Sequence, residues 1–174
     1  MLTLPRVADS VAGRMETIHM LPLAHIEVLG EPLSFLEHLF DGRLQEDTHA
    51  IVGDDLIRER IKAKRSEFGA VLESFVFGEI MKLLTGSDMH VAPYHFRDQH
   101  MREVDLVLER DDGTIAGIEV KASATVKTSD FAGLRALAEA CQEQFAFGVV
   151  LYDSGDRIPF GEKLAAAPLS CLWN

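Results

Sequence analysis

The chain is short of what several function classes require. Its two cysteines, Cys141 and Cys171, lack CxxC spacing, so no thiol redox pair or zinc ribbon is present and a reducing, cytoplasmic setting is expected. Every apolar stretch is interrupted by Glu, Lys, His or Gly before it reaches the roughly 20 residues a membrane-spanning helix needs. The opening residues hold neither a charged n-region nor an apolar signal segment; no membrane association is expected. The seven histidines include no HxxxH pair, and His90, His95 and His100 stand five apart. That spacing does not converge on one strand face, which argues against zinc. No G-x-x-x-x-G-K-[ST] loop exists; Gly155 through Gly161-Glu162-Lys163 has the wrong spacing and a glutamate that repels phosphate. ATP is not expected to bind or be hydrolysed.

Positive charge is also scarce. Seventeen Lys and Arg against 28 Asp and Glu give a net charge of -11. Nucleic-acid affinity rests on cations that neutralise phosphates, so any contact with DNA has to be local or metal-assisted. What the chain does have is 174 residues with 47% hydrophobic content, enough for one α/β domain with short appendages. There is no internal repeat and no low-complexity tract.

Residues 1–45 mix short helical signals with Pro5, Pro22 and Pro32 and read as an appendage to a domain at 46–174. From about 53 to 85 the pattern is helical, with Phe68, Leu72, Phe75, Val76, Ile80 and Leu83 at three- and four-residue steps. Short β-like runs follow at 91–96, 103–109, 115–121 and 146–152. Between the last two, Ser129 or Asp130 can cap a helix with Phe131, Leu134, Leu137, Ala138 and Cys141 on one face. The order predicted is helix, three strands, helix, strand.

Chemistry concentrates on the second and third runs. In EVDLVLE, Glu103 and Asp105 alternate with Val104, Leu106 and Leu108; in IAGIEVK, Glu119 and Lys121 alternate with Ile118 and Val120. A three-residue loop with a left-handed Gly113 sets Asp105 opposite Glu119, whereas a two-residue Asp112-Gly113 loop sets it opposite Val120. Burying both apolar faces together requires the first. The two carboxylates then start from Cβ atoms roughly 5 Å apart, a repulsion that a cation between them relieves. Mg²⁺ or Mn²⁺ suits oxygen ligands of this number. Lys121 on the same face could orient or deprotonate an attacking water, or stabilise charge on a phosphate, which is phosphodiester hydrolysis. The bland alternative is a solvated ribbon face with a Glu103–Lys121 ion pair.

The D…EVK pattern resembles the PD-(D/E)XK nuclease signature without its leading proline. A longer series, FGAVLESFVFGEIMKLL, YHFRD, EVDLVLE, GIEVKASATV, DFAGLRALAEA, FGVVLYD and PLSCLW, resembles the nuclease-like domain that ends many prokaryotic AAA-type ATPases. The resemblance implies a restriction-endonuclease-like core (α-β-β-β-α-β), with a central mixed sheet flanked by helices. It also implies Asp105, Glu119 and the Val120 backbone carbonyl as metal ligands, Lys121 as the catalytic lysine, and a nearby helix glutamate. Glu73 is preferred for that role, because Glu79 lies nearer the centre of the apolar arc and can pair with Lys82. Tyr94 and Arg97, with His95 between them, read either as substrate contacts or as edge-strand packing.

The opening LPRVADSVAGRMETIHMLPLAHIEVLGEPLSFLEHLFDG resembles the closing part of the preceding ATPase domain, here a remnant. Its apolar residues Leu21, Leu23, Phe35, Leu36 and Phe40 must pack on the terminal domain, stay disordered, or face a protein partner or second copy. The function expected is metal-dependent nucleic-acid cleavage. A non-cleaving interaction module and an inactive remnant are the alternatives.

Overall fold

The computed structural model describes residues 35–44 and 65–173. In chain order these form α1 (Phe35–Phe40), α2 (Arg65–Gly86), β1 (Val91–Arg97), β2 (Glu103–Arg110), β3 (Ile115–Lys121), α3 (Ala132–Cys141), β4 (Phe145–Tyr152), β5 (Ile158–Gly161) and β6 (Leu164–Pro168). The architecture is mixed α/β. Six strands make one sheet in the order β1-β2-β3-β4-β6-β5; β1, β2 and β3 run as an antiparallel meander, β3, β4 and β6 are parallel, and β5 closes the far edge antiparallel.

Helix α2 forms where the apolar spacing predicts, and its Leu72, Val76, Ile80 and Leu83 are buried. The structural description begins at Arg65, so the start expected near 53 and the Phe68 side chain lie outside the described residues. Phe75 departs from the expected apolar face. It is 47% exposed and rests its ring 6.2 Å from that of Trp173 in the C-terminal turn.

Between β2 and β3 the three-residue loop is the one that forms. The Arg110 N–H donates to the Thr114 carbonyl at 2.9 Å, and Gly113 takes φ 79°, open to glycine without a Cβ penalty. Two strands were not anticipated. β5 and β6 extend the sheet beyond β4, and Ala165, Ala166 and Ala167 of β6 are at most 1% exposed. Small side chains fit there because burial on both faces rewards close packing over intrinsic β preference.

Two apolar layers cover the sheet. One joins α2 to Leu106, Leu108, Ile118 and Val120; the other joins α3 to Val104, Val107, Phe145 and Val150. Ser129 and Asp130 precede α3 in a 3-10 turn, Thr128–Phe131, where the Asp130 carboxylate accepts the Lys127 N–H at 2.7 Å. Helix α1 is part of the first layer: Phe35, Leu36, Leu39, Phe40 and the following Leu44 are buried in it. Arg157 donates to the Gly42 carbonyl at 3.0 Å, tying this segment to the β4–β5 connection. Packing is therefore the outcome for 35–44, whereas Leu21 and Leu23 lie outside the described residues. Among the described residues no helix is long and apolar enough to cross a membrane.

Candidate functional site

A β-bulge builds the site. Along β1 and β2 the pairing passes from Tyr94–Val107 to Phe96–Val104, so Asp105 and Leu106 together oppose His95. The extra residue breaks the strict alternation expected from the sequence. Val104 turns into the layer under α3, while Glu103, Asp105 and Leu106 all line a cleft on the α2 side. On β3, Val120 faces that cleft, so Glu119 and Lys121 at alternate positions lie on the other side of the strand. The common strand face expected for Asp105, Glu119 and Lys121 is therefore not kept.

They meet instead where the two strands part. Pairing between β2 and β3 runs from Glu109–Ile115 to Leu106–Ile118 and stops; continued by one step it would set Asp105 opposite Glu119. Beyond that point the Val120 N–H donates to Asp105 Oδ2 at 2.8 Å, a side chain standing where a neighbouring strand's carbonyl would. The N–H and C=O of a strand residue point to the same neighbour, so the Val120 carbonyl is directed toward the same gap. Lys121 Nζ donates to Glu119 Oε1 at 2.8 Å.

Burial separates this cluster from a solvated ribbon. The Glu119 side chain is 13% exposed, and its Oε2 is buried without a hydrogen-bond partner. Burial pushes the Glu119 carboxyl above its usual range and the Asp105 charge adds to that, against the opposing hydrogen bond from Lys121. For Lys121, burial disfavours the ammonium, but the Glu119 hydrogen bond and the charges of Glu119, Asp105 and Asp130 outweigh it and hold its pKa above the ordinary value. Lys121 is thus a cation at neutral pH, suited to stabilising negative charge rather than to taking a proton. The Glu103–Lys121 pair of the bland alternative does not form, since Glu103 is bound by Arg97 at 2.9 Å.

A carboxyl whose folded pKa is raised gives most stability below its unfolded pKa, and that stability is lost as pH rises through the folded value. The metal-free protein should therefore gain stability as pH falls from neutral toward mildly acidic. Glu119→Gln should stabilise it at neutral pH by about 1 kcal/mol, roughly 2–4 °C, because the burial cost of a carboxylate whose Oε2 has no donor outweighs what its bond from Lys121 returns. Thermal melts of both proteins in EDTA across that pH range check this. A variant less stable than wild type at neutral pH would contradict it.

The cleft holds about 400 Å³ and places Glu73 of α2 in the same space as Asp105 and Glu103. Glu79 goes elsewhere: it is 3% exposed, bound by Lys82 at 2.6 Å and by the Trp173 indole at 3.4 Å. Glu73 is thus the α2 glutamate that lines the cleft, while Glu79 is held by Lys82 and Trp173. Of the β1 residues, His95 lines the cleft, whereas Tyr94 is paired with Val107 on the face covered by α3 and is not brought to Asp105. Arg97 borders the cleft through its ion pair with Glu103. Glu103 shares the Asp105 side as alternation implies, whereas the presence of Leu106 on that same side could not be read from β2 alone, because a bulge depends on the register against β1.

The donor set suits a hard divalent ion. Asp105 and Glu119 supply carboxylate oxygens and Val120 a carbonyl, the buried Oε2 lacks a protein partner, and such ions otherwise complete their shells with water. Among the described residues no group of three or more His, Cys, Asp or Glu is placed to hold a metal ion, so any ion here would rest on two carboxylates, a carbonyl and water. Fold and cluster define a mixed α/β domain with a buried acid–lysine site at the splayed ends of two sheet strands. A family model described as "Domain of unknown function (DUF4143)" matches residues 68–172, more than half of the chain, and the chain belongs to that family. No curated protein matches it, and no solved structure does.

Proposed function

We propose that residues 46–174 form a restriction-endonuclease-like domain of PD-(D/E)XK type that hydrolyses phosphodiesters of DNA with Mg²⁺ or Mn²⁺. The observation that carries this reading is the buried, partnerless Glu119 Oε2 beside Asp105 and a charged Lys121. Asp105, Glu119 and the Val120 carbonyl would hold the ion. When bound, it would supply an activated water and neutralise charge on the phosphate. Lys121 stabilises the negative charge that develops on the phosphate oxygens, and Glu73 faces the same cleft to position water or a second ligand. Residues 1–45 are read as similar to the closing part of an ATPase domain, with no phosphate-binding loop among the residues of this sequence. Any role in binding a partner or a second copy falls to residues 1–34, since 35–44 are committed to the core.

A second reading, a non-cleaving interaction module, is favoured by the net charge of -11. The two separate on cleavage. The full chain incubated with DNA should cut it in Mn²⁺ or Mg²⁺ and not in EDTA, and Asp105→Asn should lower the rate at least about 100-fold, the scale of losing a stabilising group at a reacting centre. Equal rates for wild type and variant would leave the module reading.

A further inference from the structure

Phe35, Leu36, Leu39 and Phe40 of α1, with Leu44 just beyond, are each at most 7% exposed, although all five precede the family match at 68–172. They share one apolar layer with Phe147, Val149 and Leu151 of β4 and with Cys171 and Leu172 of the C-terminal turn. Helix α1 has six residues, too few to hold together alone in water. A Schellman turn closes it. Gly42 takes φ 67°, its N–H donates to the Leu39 carbonyl at 3.2 Å, and the Arg43 N–H donates to the His38 carbonyl at 2.8 Å. The turn lays Gly42 against Phe147, whose ring would lie 2.9 Å from a Cβ added there.

Strands β3, β4 and β6 are joined by backbone pairing. Helix α1 meets β3, β4 and the C-terminal turn through apolar side chains instead. To this packing are added the Arg157 donation to the Gly42 carbonyl at 3.0 Å and the Arg110 guanidinium 5.4 Å from the centre of the Phe40 ring. We infer that α1 is a docking segment: it seats in an apolar groove of the domain that follows, keeps its place without the peptide connection to α2, and anchors the preceding chain on β3, the strand that bears Glu119 and Lys121. A domain bounded at residue 46 leaves that groove open, and its occupant is the α1 helix of this chain. Seating of α1 needs neither a metal nor a substrate, so its failure and that of the nuclease reading are separate results.

The test cuts the full chain. A site-specific protease sequence inserted after Gly53 allows α1 to be severed from α2, and size-exclusion chromatography over a dilution series measures how tightly the two pieces stay together. Pieces with the natural side chains should elute as one species at micromolar concentration, in about 1 M salt as in dilute buffer, because salt screens charges and not apolar contact. Leu39→Asp should release the N-terminal piece. Leu39→Ala, the milder change should the aspartate prevent folding, should weaken the pair roughly 30-fold or more, the scale of truncating a buried leucine. Glu37→Ala, at an exposed position of the same helix, should leave it unchanged. In the uncut chain, hydrogen exchange of the β3 amides should quicken in Leu39→Ala and not in Glu37→Ala. Natural pieces that separate on cutting, pieces equally tight in Leu39→Ala, or β3 amides that do not respond would each overturn the inference.

Discussion

Gly133→Ala should destabilise the domain by about 3 kcal/mol or more, at the upper end of what overpacking costs. A Cβ on Gly133 would lie 1.7 Å from the Glu103 carbonyl oxygen and 2.7 Å from its carbon. Both are backbone atoms in a strand, so no side-chain rotation can relieve the contact. Either α3 lifts from the sheet, exposing Leu134 and Leu137, or β2 shifts at its first residue. Because Glu103 leads directly into the bulge, the second response would also weaken the bond from Val120 N–H to Asp105. Chemical denaturation measures the stability loss, and hydrogen exchange at the Val120 amide reports the displacement without any metal. Gly78→Ala, where an added Cβ meets nothing within 4 Å, should instead stabilise α2 by up to about 1 kcal/mol. Equal behaviour of the two variants would mean that α3 and β2 are not in the contact described.

Lys121→Ala should lower cleavage at least about 100-fold while leaving metal binding in place. The lysine touches Glu119 through Oε1 and leaves Oε2 free, so its removal takes away a cation near the reacting phosphate but no ligand atom. Preorganised charges at such positions contribute about 10²–10³ in rate. Removing the ammonium also withdraws what opposes burial at Glu119, whose carboxyl should then rise further. A variant that binds Mn²⁺ and cuts at the wild-type rate would show that Lys121 only neutralises its neighbour.

Much of this arrangement was legible in the sequence where one local signal sufficed. The period of Leu72, Val76, Ile80 and Leu83 marks α2, the limits of β3 fall at Ile115 and Lys121 as read, and Gly113 fixes the loop. Glu79 and Lys82 pair as their spacing on the helix implies. What could not be read depends on tertiary context. LAAAP has neither alternation nor β-branched residues, and becomes β6 because its neighbours leave room only for small side chains. The bulge at Asp105 is a relation between β1 and β2, invisible in either strand alone, and it changes which residues share the cleft: His95 enters and Tyr94 is turned away. The register read from the loop points Asp105 toward Glu119, yet the strands part before that pair forms, and the Asp105 side chain instead binds the Val120 amide while its charge is felt at Glu119.

Asp105 and Glu119 are proposed to hold a divalent ion together. Calorimetric titration of Mn²⁺ into the full chain near neutral pH tests it, with Asp105→Ala and Glu119→Ala verified as folded by their melts. Wild type should bind the ion and both variants should lose it, since each leaves too few hard oxygen ligands. Indistinguishable titrations for all three proteins would contradict it.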